Sequence, residues 1–157
     1  MERIELLFDC LRAPYDASHI IQVAMALGNC DLYLSGNSLD IHNKKVISKV
    51  HSWGISTLPH VKIFGTFDEA VETLHREGRY LVGTMPGIQK TIYEIDFTKG
   101  NHVVVFGTES SGLSKRKMDK LDDIVSIPMS SSLRFLTLTV AVPVVAYEFY
   151  RQWQNKK

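Results

Sequence analysis

The sequence predicts an α/β fold in which a mostly parallel sheet carries helices on both faces. Short apolar runs rich in β-branched residues alternate along the chain with longer amphipathic segments, which is the order that βαβ units require. The run 80–85 is almost uninterrupted in its apolar character, as expected of a strand that is covered on both faces. A chain of 157 residues has the length of one domain with a single core.

Each predicted element has a local signal. The predicted strands comprise residues 3–10, 32–34, 61–64, 80–85, 103–106 and 124–127. The predicted helices comprise residues 17–27, 39–53, 67–77, 115–121 and 136–154. The strands are apolar runs that stop at Gly, Pro or polar residues, whereas the helices repeat their apolar residues at helical spacing.

Several residues mark the ends of these elements. Gly28 and Gly78 suit the carboxyl ends of the first and third helices, and Thr66 with Glu69 has the spacing of a capping box at the start of the third. Pro143 lies inside the last helix, where it removes a backbone donor and predicts a kink or a delayed start. Residues 91–97 fit either an edge strand or an irregular linker.

Two strand–loop units near the carboxyl terminus carry the functional prediction. The first is the strand 103–106 with the loop Gly107-Thr-Glu-Ser-Ser-Gly112, and the second is the strand 124–127 with the seven-residue loop that follows Met129. We expect both loops at the carboxyl edge of neighbouring parallel strands, where open α/β sheets place their ligands. Glycine has no side chain to obstruct a ligand, so the first loop can approach one closely.

This pattern resembles the second and third motifs of the SpoU-type RNA ribose 2′-O-methyltransferases of the SPOUT superfamily. The resemblance extends from residue 4 to about residue 153 and implies a single SpoU-like domain over residues 1–157. It also implies a carboxyl-terminal trefoil knot. The cofactor that it implies is S-adenosyl-L-methionine, bound by main-chain groups of three loops. The positions that match the family's cofactor pocket are Thr84, Gly107, Glu109, Gly112, Ile127, Met129 and Leu136.

The resemblance also identifies candidate catalytic positions, at which the residue types are altered. Asp16 stands where the family usually has Asn, and Gln22 where it has the Arg thought to activate the ribose hydroxyl. In the third motif Ser-Leu-Asn is replaced by Phe135-Leu-Thr137, and we expect Phe135 to pack rather than to stack on a base. The predicted catalytic residues are therefore Asp16, Gln22, Arg134 and Thr137, with Arg134 or Arg12 covering the phosphate and proton roles.

Two other functions are compatible with these altered motifs. The chain could be a catalytically impaired homologue that binds RNA or cofactor without turnover, or an α/β domain of unrelated function. Among RNA substrates the resemblance favours tRNA, because Arg134, Tyr147 and Glu148 coincide with residues of the tRNA-acting branch. It also implies a homodimer through the last helix and the helix 17–27.

Composition limits the partners. The net charge is only +1, so RNA contacts must come from a local basic patch. The densest candidate is 114–120, although Asp119, Asp122 and Asp123 dilute it and a solvated helix face is the favoured interpretation. Two Cys are expected to be buried, reduced thiols, and the six scattered His predict no metal site. No run approaches a membrane span, which favours a soluble cytoplasmic protein.

Overall fold

The computed structural model describes residues 3–108 and 111–156, and within them it contains one parallel sheet. The strands are β1 (Ile4–Asp9), β2 (Cys30–Ser35), β3 (Val61–Ile63), β4 (Arg79–Thr84), β5 (Asn101–Phe106) and β6 (Asp123–Val125). They lie in the order β3-β2-β1-β5-β4-β6, and every neighbouring pair is parallel. The predicted mostly parallel sheet is confirmed.

Helices cover both faces of this sheet, also as predicted. The helices of the described residues are α1 (Pro14–Leu27), α2 (Lys44–Ser52), α3 (Phe67–Arg76), α4 (Lys115–Met118) and α5 (Leu138–Gln154). One core cluster joins α1, α2 and α5 to one face, and a second joins α3 to the opposite face. Val104 of β5 belongs to the first cluster and Val105 to the second. Both faces of β5 are therefore buried, which explains the unbroken apolar run at residues 103–106.

The first two helices begin at residues other than those predicted. α1 starts at Pro14 rather than at residue 17, because proline suits the first turn of a helix, where its missing N–H is not needed. α2 starts at Lys44 rather than at residue 39. The Asn43 side chain accepts a hydrogen bond from the Lys45 amide at 2.9 Å and so caps the helix at that point.

The carboxyl-terminal boundaries also differ. α4 ends at Met118 rather than at residue 121, and β6 ends at Val125, so that Ile127 belongs to the following loop. α5 begins at Leu138 and continues through Pro143. The ambiguous segment 91–97 contains a 3-10 turn, Ile92–Glu94.

The strands β5 and β6 are not neighbours, contrary to the prediction. β4 lies between them and pairs with both, through Val82 with Val104 of β5 and with Asp123 of β6. Which strands pair is set by long-range packing, and the local sequence pattern does not contain that information. As a result, the loops after β5 and β6 lie on either side of the loop after β4 at this edge of the sheet.

Candidate cofactor site

The loops that follow β4, β5 and β6 surround one cavity at the carboxyl ends of these strands. Its volume is about 520 Å³, within the range of pockets that bind small organic ligands. The lining residues are Thr84, Met85, Pro86, Phe106, Gly107, Thr108, Ser111, Gly112, Ile127, Met129, Phe135, Leu136, Leu138 and Ala141. The lining is largely apolar, and the loops add main-chain donors and acceptors.

The loop after β5 folds back on itself beside the cavity. The Thr108 amide donates to the Gly112 carbonyl at 3.2 Å, and the Gly112 amide donates to the Thr108 carbonyl at 3.0 Å. A Cβ atom on Gly107 would lie 2.1 Å from the Gly112 carbonyl carbon, far inside van der Waals contact. Gly112 has a φ of 65°, which glycine adopts readily. The tight turn therefore requires glycine at both positions.

The end of β4 is fastened to the same loop. The Thr84 hydroxyl donates to the Val105 carbonyl at 3.1 Å, and the Leu113 amide lies 3.3 Å from the Met85 sulfur. A Cβ atom on Gly112 would lie 2.9 Å from that sulfur. These contacts hold the β4 and β5 loops against each other and form one side of the cavity.

The chain that leaves β6 passes between β4 and the segment that follows the β4 loop. On one side the Met85 amide donates to the Val125 carbonyl at 3.0 Å. On the other side the Ser126 amide donates to the Lys90 carbonyl at 2.9 Å, and the Ser126 carbonyl accepts from the Ile92 amide at 2.9 Å. This path, held by hydrogen bonds on both sides, leads the third loop to the cavity.

The cavity brings together most of the residues predicted to bind a cofactor. Those that line it are Thr84, Gly107, Gly112, Ile127, Met129 and Leu136. The remaining predicted residue, Glu109, lies outside the described residues. These lining residues come from three separate stretches of sequence, and they meet because parallel strands end at the same edge of the sheet.

The residues predicted to take part in catalysis are not among the lining residues. On α1, Gln22 is exposed and Asp16 is half-buried in the first turn. Arg134 and Thr137 are exposed, and they flank the lining residue Phe135 in the third loop. Of the four predicted catalytic residues, therefore, only Arg134 and Thr137 are neighbours in sequence of residues that line the cavity. The helix α1, which carries Asp16 and Gln22, packs against α5.

Phe135 does not pack as predicted. It lines the rim of the cavity with 58% of its surface exposed, and Leu133 is 52% exposed in the same loop. The prediction is wrong because the Phe135 ring belongs to neither core cluster and faces the cavity and solvent instead. Two lining residues that the sequence did not single out, Leu138 and Ala141, lie three positions apart on α5, and helical periodicity beyond the third motif would have indicated them.

Each Lys and Arg of the basic segment 114–120 has a carboxylate partner. The ion pairs are Lys115–Asp119 (3.1 Å), Arg116–Asp68 (3.2 Å), Lys120–Asp68 (3.5 Å) and Lys117–Asp9. Asp9 is buried at the end of β1 and also accepts from the Ser35 hydroxyl at 2.9 Å. Distant carboxylates, rather than the Asp122 and Asp123 expected from the sequence, thus supply most of the negative charge.

The described residues, 3–108 and 111–156, lack two other kinds of functional feature. Among them no group of three or more His, Cys, Asp or Glu side chains is placed to hold a metal ion. No helix of the described chain combines the length and apolar character needed to cross a membrane.

Cys10 and Cys30 are free thiols. Burial raises the pKa of Cys30 to about 12, so this thiol stays protonated near neutral pH and is a poor nucleophile.

Residues 3–147 match the SpoU rRNA Methylase family. The chain belongs to this family. The match covers nearly the whole sequence, including all three loops around the cavity.

Relatives in the family include proteins with named RNA substrates. The chain is 34% identical over 147 residues to a tRNA (cytidine-2′-O-)-methyltransferase, TrmJ, of Methanocaldococcus jannaschii, and the aligned part covers 88% of this chain but only 63% of that protein. Two solved structures have the same fold. The SpoU methyltransferase AviRb of Streptomyces viridochromogenes, in complex with AdoMet, has a TM-score of 0.81 at 26% identity, covering 97% of this chain and 61% of that one. A structure solved to give insight into the 2-OH methylation of C/U34 on tRNA has a TM-score of 0.83 at 26% identity, and 98% of each chain is covered.

Proposed function

We propose that this chain is an S-adenosylmethionine-dependent RNA ribose 2′-O-methyltransferase. The observation that carries the proposal is the cavity formed by the loops after β4, β5 and β6, in a chain that belongs to the SpoU rRNA Methylase family. A SpoU member with this fold has been solved with AdoMet.

The lining of the cavity fits an adenosyl group. Ile127, Met129 and Leu136 offer apolar surfaces for the two faces of a flat base, while the backbone of Gly107 offers polar groups to its edges. When bound, S-adenosylmethionine supplies an electrophilic methyl group on its sulfonium, and the work left to the protein is mainly positioning.

The roles at the acceptor side are assigned to four residues. Arg134 carries a permanent positive charge and would hold a phosphate beside the target ribose, with the Thr137 hydroxyl nearby as a hydrogen-bonding group. Asp16 is the one carboxylate among the four and would accept the proton that the ribose hydroxyl loses. Gln22 is uncharged and would orient the ribose rather than activate it.

A homodimer would bring these groups together. Val140 and Tyr147 are 47% and 45% exposed and lie seven residues apart on α5, so they share one helix face. Tyr15 is 64% exposed on the adjacent α1. We propose that this apolar surface packs on a second copy, whose α1 places its Asp16 and Gln22 near the cavity. Sedimentation of the purified protein should show a dimer, and a monomer at micromolar concentration would remove this arrangement.

The trefoil knot is part of the same proposal. The passage of Val125 and Ser126 between β4 and the segment containing Lys90 and Ile92, with hydrogen bonds on both sides, supports a threaded chain. A knotted carboxyl terminus would explain why α5 reaches the cavity with Leu138 and Ala141.

tRNA is the substrate class that we propose. The match to the tRNA-related structure covers nearly the whole of both chains, which supports tRNA over other RNA substrates. Arg134 is exposed and available to an RNA ligand. A tRNA substrate would place the activity in the cytoplasm.

The proposed function is tested in two steps. Calorimetry with S-adenosylmethionine measures cofactor binding, and transfer of a tritiated methyl group is then measured with bulk tRNA and with bulk ribosomal RNA as acceptors. We expect binding, transfer to tRNA, and a 2′-O-methylated nucleoside after digestion. Absence of both binding and transfer would refute the proposal, and preferential transfer to ribosomal RNA would refute the substrate class.

A second function is favoured by one observation. Gln22 replaces the Arg of the family motif and is exposed on α1, which suits a module that binds cofactor or RNA without turnover. Cofactor binding without transfer to any RNA, together with activity in Gln22→Arg, would establish this alternative. Transfer by the unchanged protein would exclude it.

A further inference from the structure

Positive charge without a carboxylate partner is concentrated on α2. The ammonium groups of Lys44, Lys45 and Lys49 have no carboxylate of the described residues within 4.0 Å. Every Lys and Arg of the segment 114–120, by contrast, is paired. Among the described residues, the lysines that lack a carboxylate partner are therefore grouped at a place other than the one that charge density along the sequence indicates.

The helix presents these lysines on one side. Val46 and Val50 are fully buried against the core, and this fixes which face of α2 points outward. On the outward face, the three lysines together with Ser48 and Ser52 line a shallow groove of about 510 Å³. All of these side chains are exposed. The groove thus offers ammonium and hydroxyl donors and has no carboxylate in its lining.

The positions of the three lysines do not stabilise the helix α2. Lys44 and Lys45 lie in the first turn, where the helix dipole disfavours cations, and that turn contains no acidic residue. Lys45 and Lys49 are four residues apart, a spacing at which like charges repel. An anionic ligand on this face would relieve both effects. Within the fold, the Lys49 ammonium lies over the Trp53 ring at 5.2 Å, a contact that accounts for one of the three lysines.

The segment around α2 is positively charged, whereas the rest of the chain is not. Residues 40–62 contain four Lys and one Asp, a net charge of +3, while the whole chain carries +1. The remainder is therefore net negative. A polyanion approaching this protein would meet its favourable potential at α2 and the adjoining edge strand β3.

We infer that this α2 surface, defined by Lys44, Lys45 and Lys49, binds the phosphodiester backbone of the RNA substrate away from the target nucleotide. The inference rests on the proposed function, because it assigns part of the RNA-binding surface of that enzyme. α2 follows β2, and the cavity lies at the end of β4. The strands β2 and β4 are three positions apart in the sheet, which is about 14 Å at the usual strand spacing. One folded RNA can span that distance. Contacts to phosphates supply affinity and orientation, while the choice of nucleotide remains with the acceptor-side residues beside the cavity.

The test compares two triple variants with the same change in net charge. The test variant is Lys44→Gln, Lys45→Gln, Lys49→Gln. The control variant is Lys99→Gln, Lys115→Gln, Lys120→Gln, in which each lysine has a carboxylate partner. Affinity for bulk tRNA is measured by fluorescence anisotropy over a series of salt concentrations, and thermal midpoints are measured alongside.

We expect the test variant to bind tRNA at least about tenfold more weakly, and the slope of log affinity against log salt to fall by about 2 to 3. The control should change by less than about threefold. The thermal midpoint of the test variant should be unchanged or raised, because its lysines repel one another in the free protein. Equal losses in both variants would show a general charge effect and overturn the inference, as would retention of affinity in the test variant.

The same measurements separate this inference from the proposed function. Binding of S-adenosylmethionine should be the same in the test variant and the unchanged protein, because α2 does not line the cavity. If the unchanged protein binds cofactor but no RNA, the RNA-modifying function itself fails. If it binds and methylates tRNA and the test variant does so equally well, only the assignment of the α2 surface is overturned.

Discussion

Gly107→Ala is expected to destabilise the chain and to weaken cofactor binding together. The added Cβ atom would lie 2.1 Å from the Gly112 carbonyl carbon and 2.4 Å from both the Gly112 oxygen and the Leu113 nitrogen. These are backbone atoms, so no side-chain rotation relieves the overlap, and the turn must open. Overpacking of this kind costs about 1–3 kcal/mol, and each of the two Thr108–Gly112 hydrogen bonds contributes about 0.5–1.5 kcal/mol. We therefore expect a loss of about 2–6 kcal/mol in the free energy of unfolding, the upper limit applying if both hydrogen bonds are lost.

The assay combines urea unfolding with calorimetry. Because the opened turn moves one wall of the cavity, affinity for S-adenosylmethionine should fall at least about tenfold, which corresponds to about 1.4 kcal/mol. Gly78→Ala is the matched control. Gly78 has a φ of 85°, and no heavy atom lies within 4 Å of the place that a Cβ atom would take there.

The control should lose about 1–2 kcal/mol from its left-handed backbone alone and should bind the cofactor normally. The reasoning is refuted if Gly107→Ala loses no more stability than Gly78→Ala and binds S-adenosylmethionine like the unchanged protein. That result would mean that the turn is not closed against residue 107.

Three further substitutions have expected outcomes. Cys10 has a φ of 56°, a conformation that disfavours side chains, so Cys10→Gly should raise the free energy of unfolding by about 0.5 kcal/mol in urea titrations; a decrease would show that the thiol packing matters more. Burial lowers the pKa of His102 from 6.5, so the unfolded chain binds a proton first as the pH falls, and stability should decline below pH 6.5. His102→Phe should remove that part of the pH dependence, and an unchanged slope would contradict the assignment. Phe135→Ala should leave stability within about 0.5 kcal/mol, because the ring is mostly exposed, yet weaken cofactor binding measurably; unaltered affinity would exclude the ring from the site.

The convergence of the three loops on one cavity could be predicted from sequence because the lining residues lie at strand ends. Thr84, Gly107 and Ile127 each lie at or just beyond an apolar run, and a parallel sheet directs the ends of its strands to one edge. The prediction did not need the strand order. That order, with β4 between β5 and β6, depends on which strands pair over long distances, and local patterns contain no information about it.

The charged surfaces could not be predicted in the same way. Whether a lysine is free depends on carboxylates that the fold brings to it, as Asp68 reaches Arg116 across 48 positions of sequence. Counting charges along the chain therefore singled out the segment 114–120 and overlooked α2. Phe135 was misjudged for a related reason, because the sequence shows that a side chain is apolar but not whether a core lies beside it.

The most direct test of the proposed function is a crystal structure of the protein soaked with S-adenosylmethionine. We predict density for the adenosyl group between the Gly107 loop, Ile127 and Leu136, within hydrogen-bonding distance of main-chain groups. Density for the ligand at another place, or crystals in which this cavity stays empty at saturating ligand, would contradict the proposal.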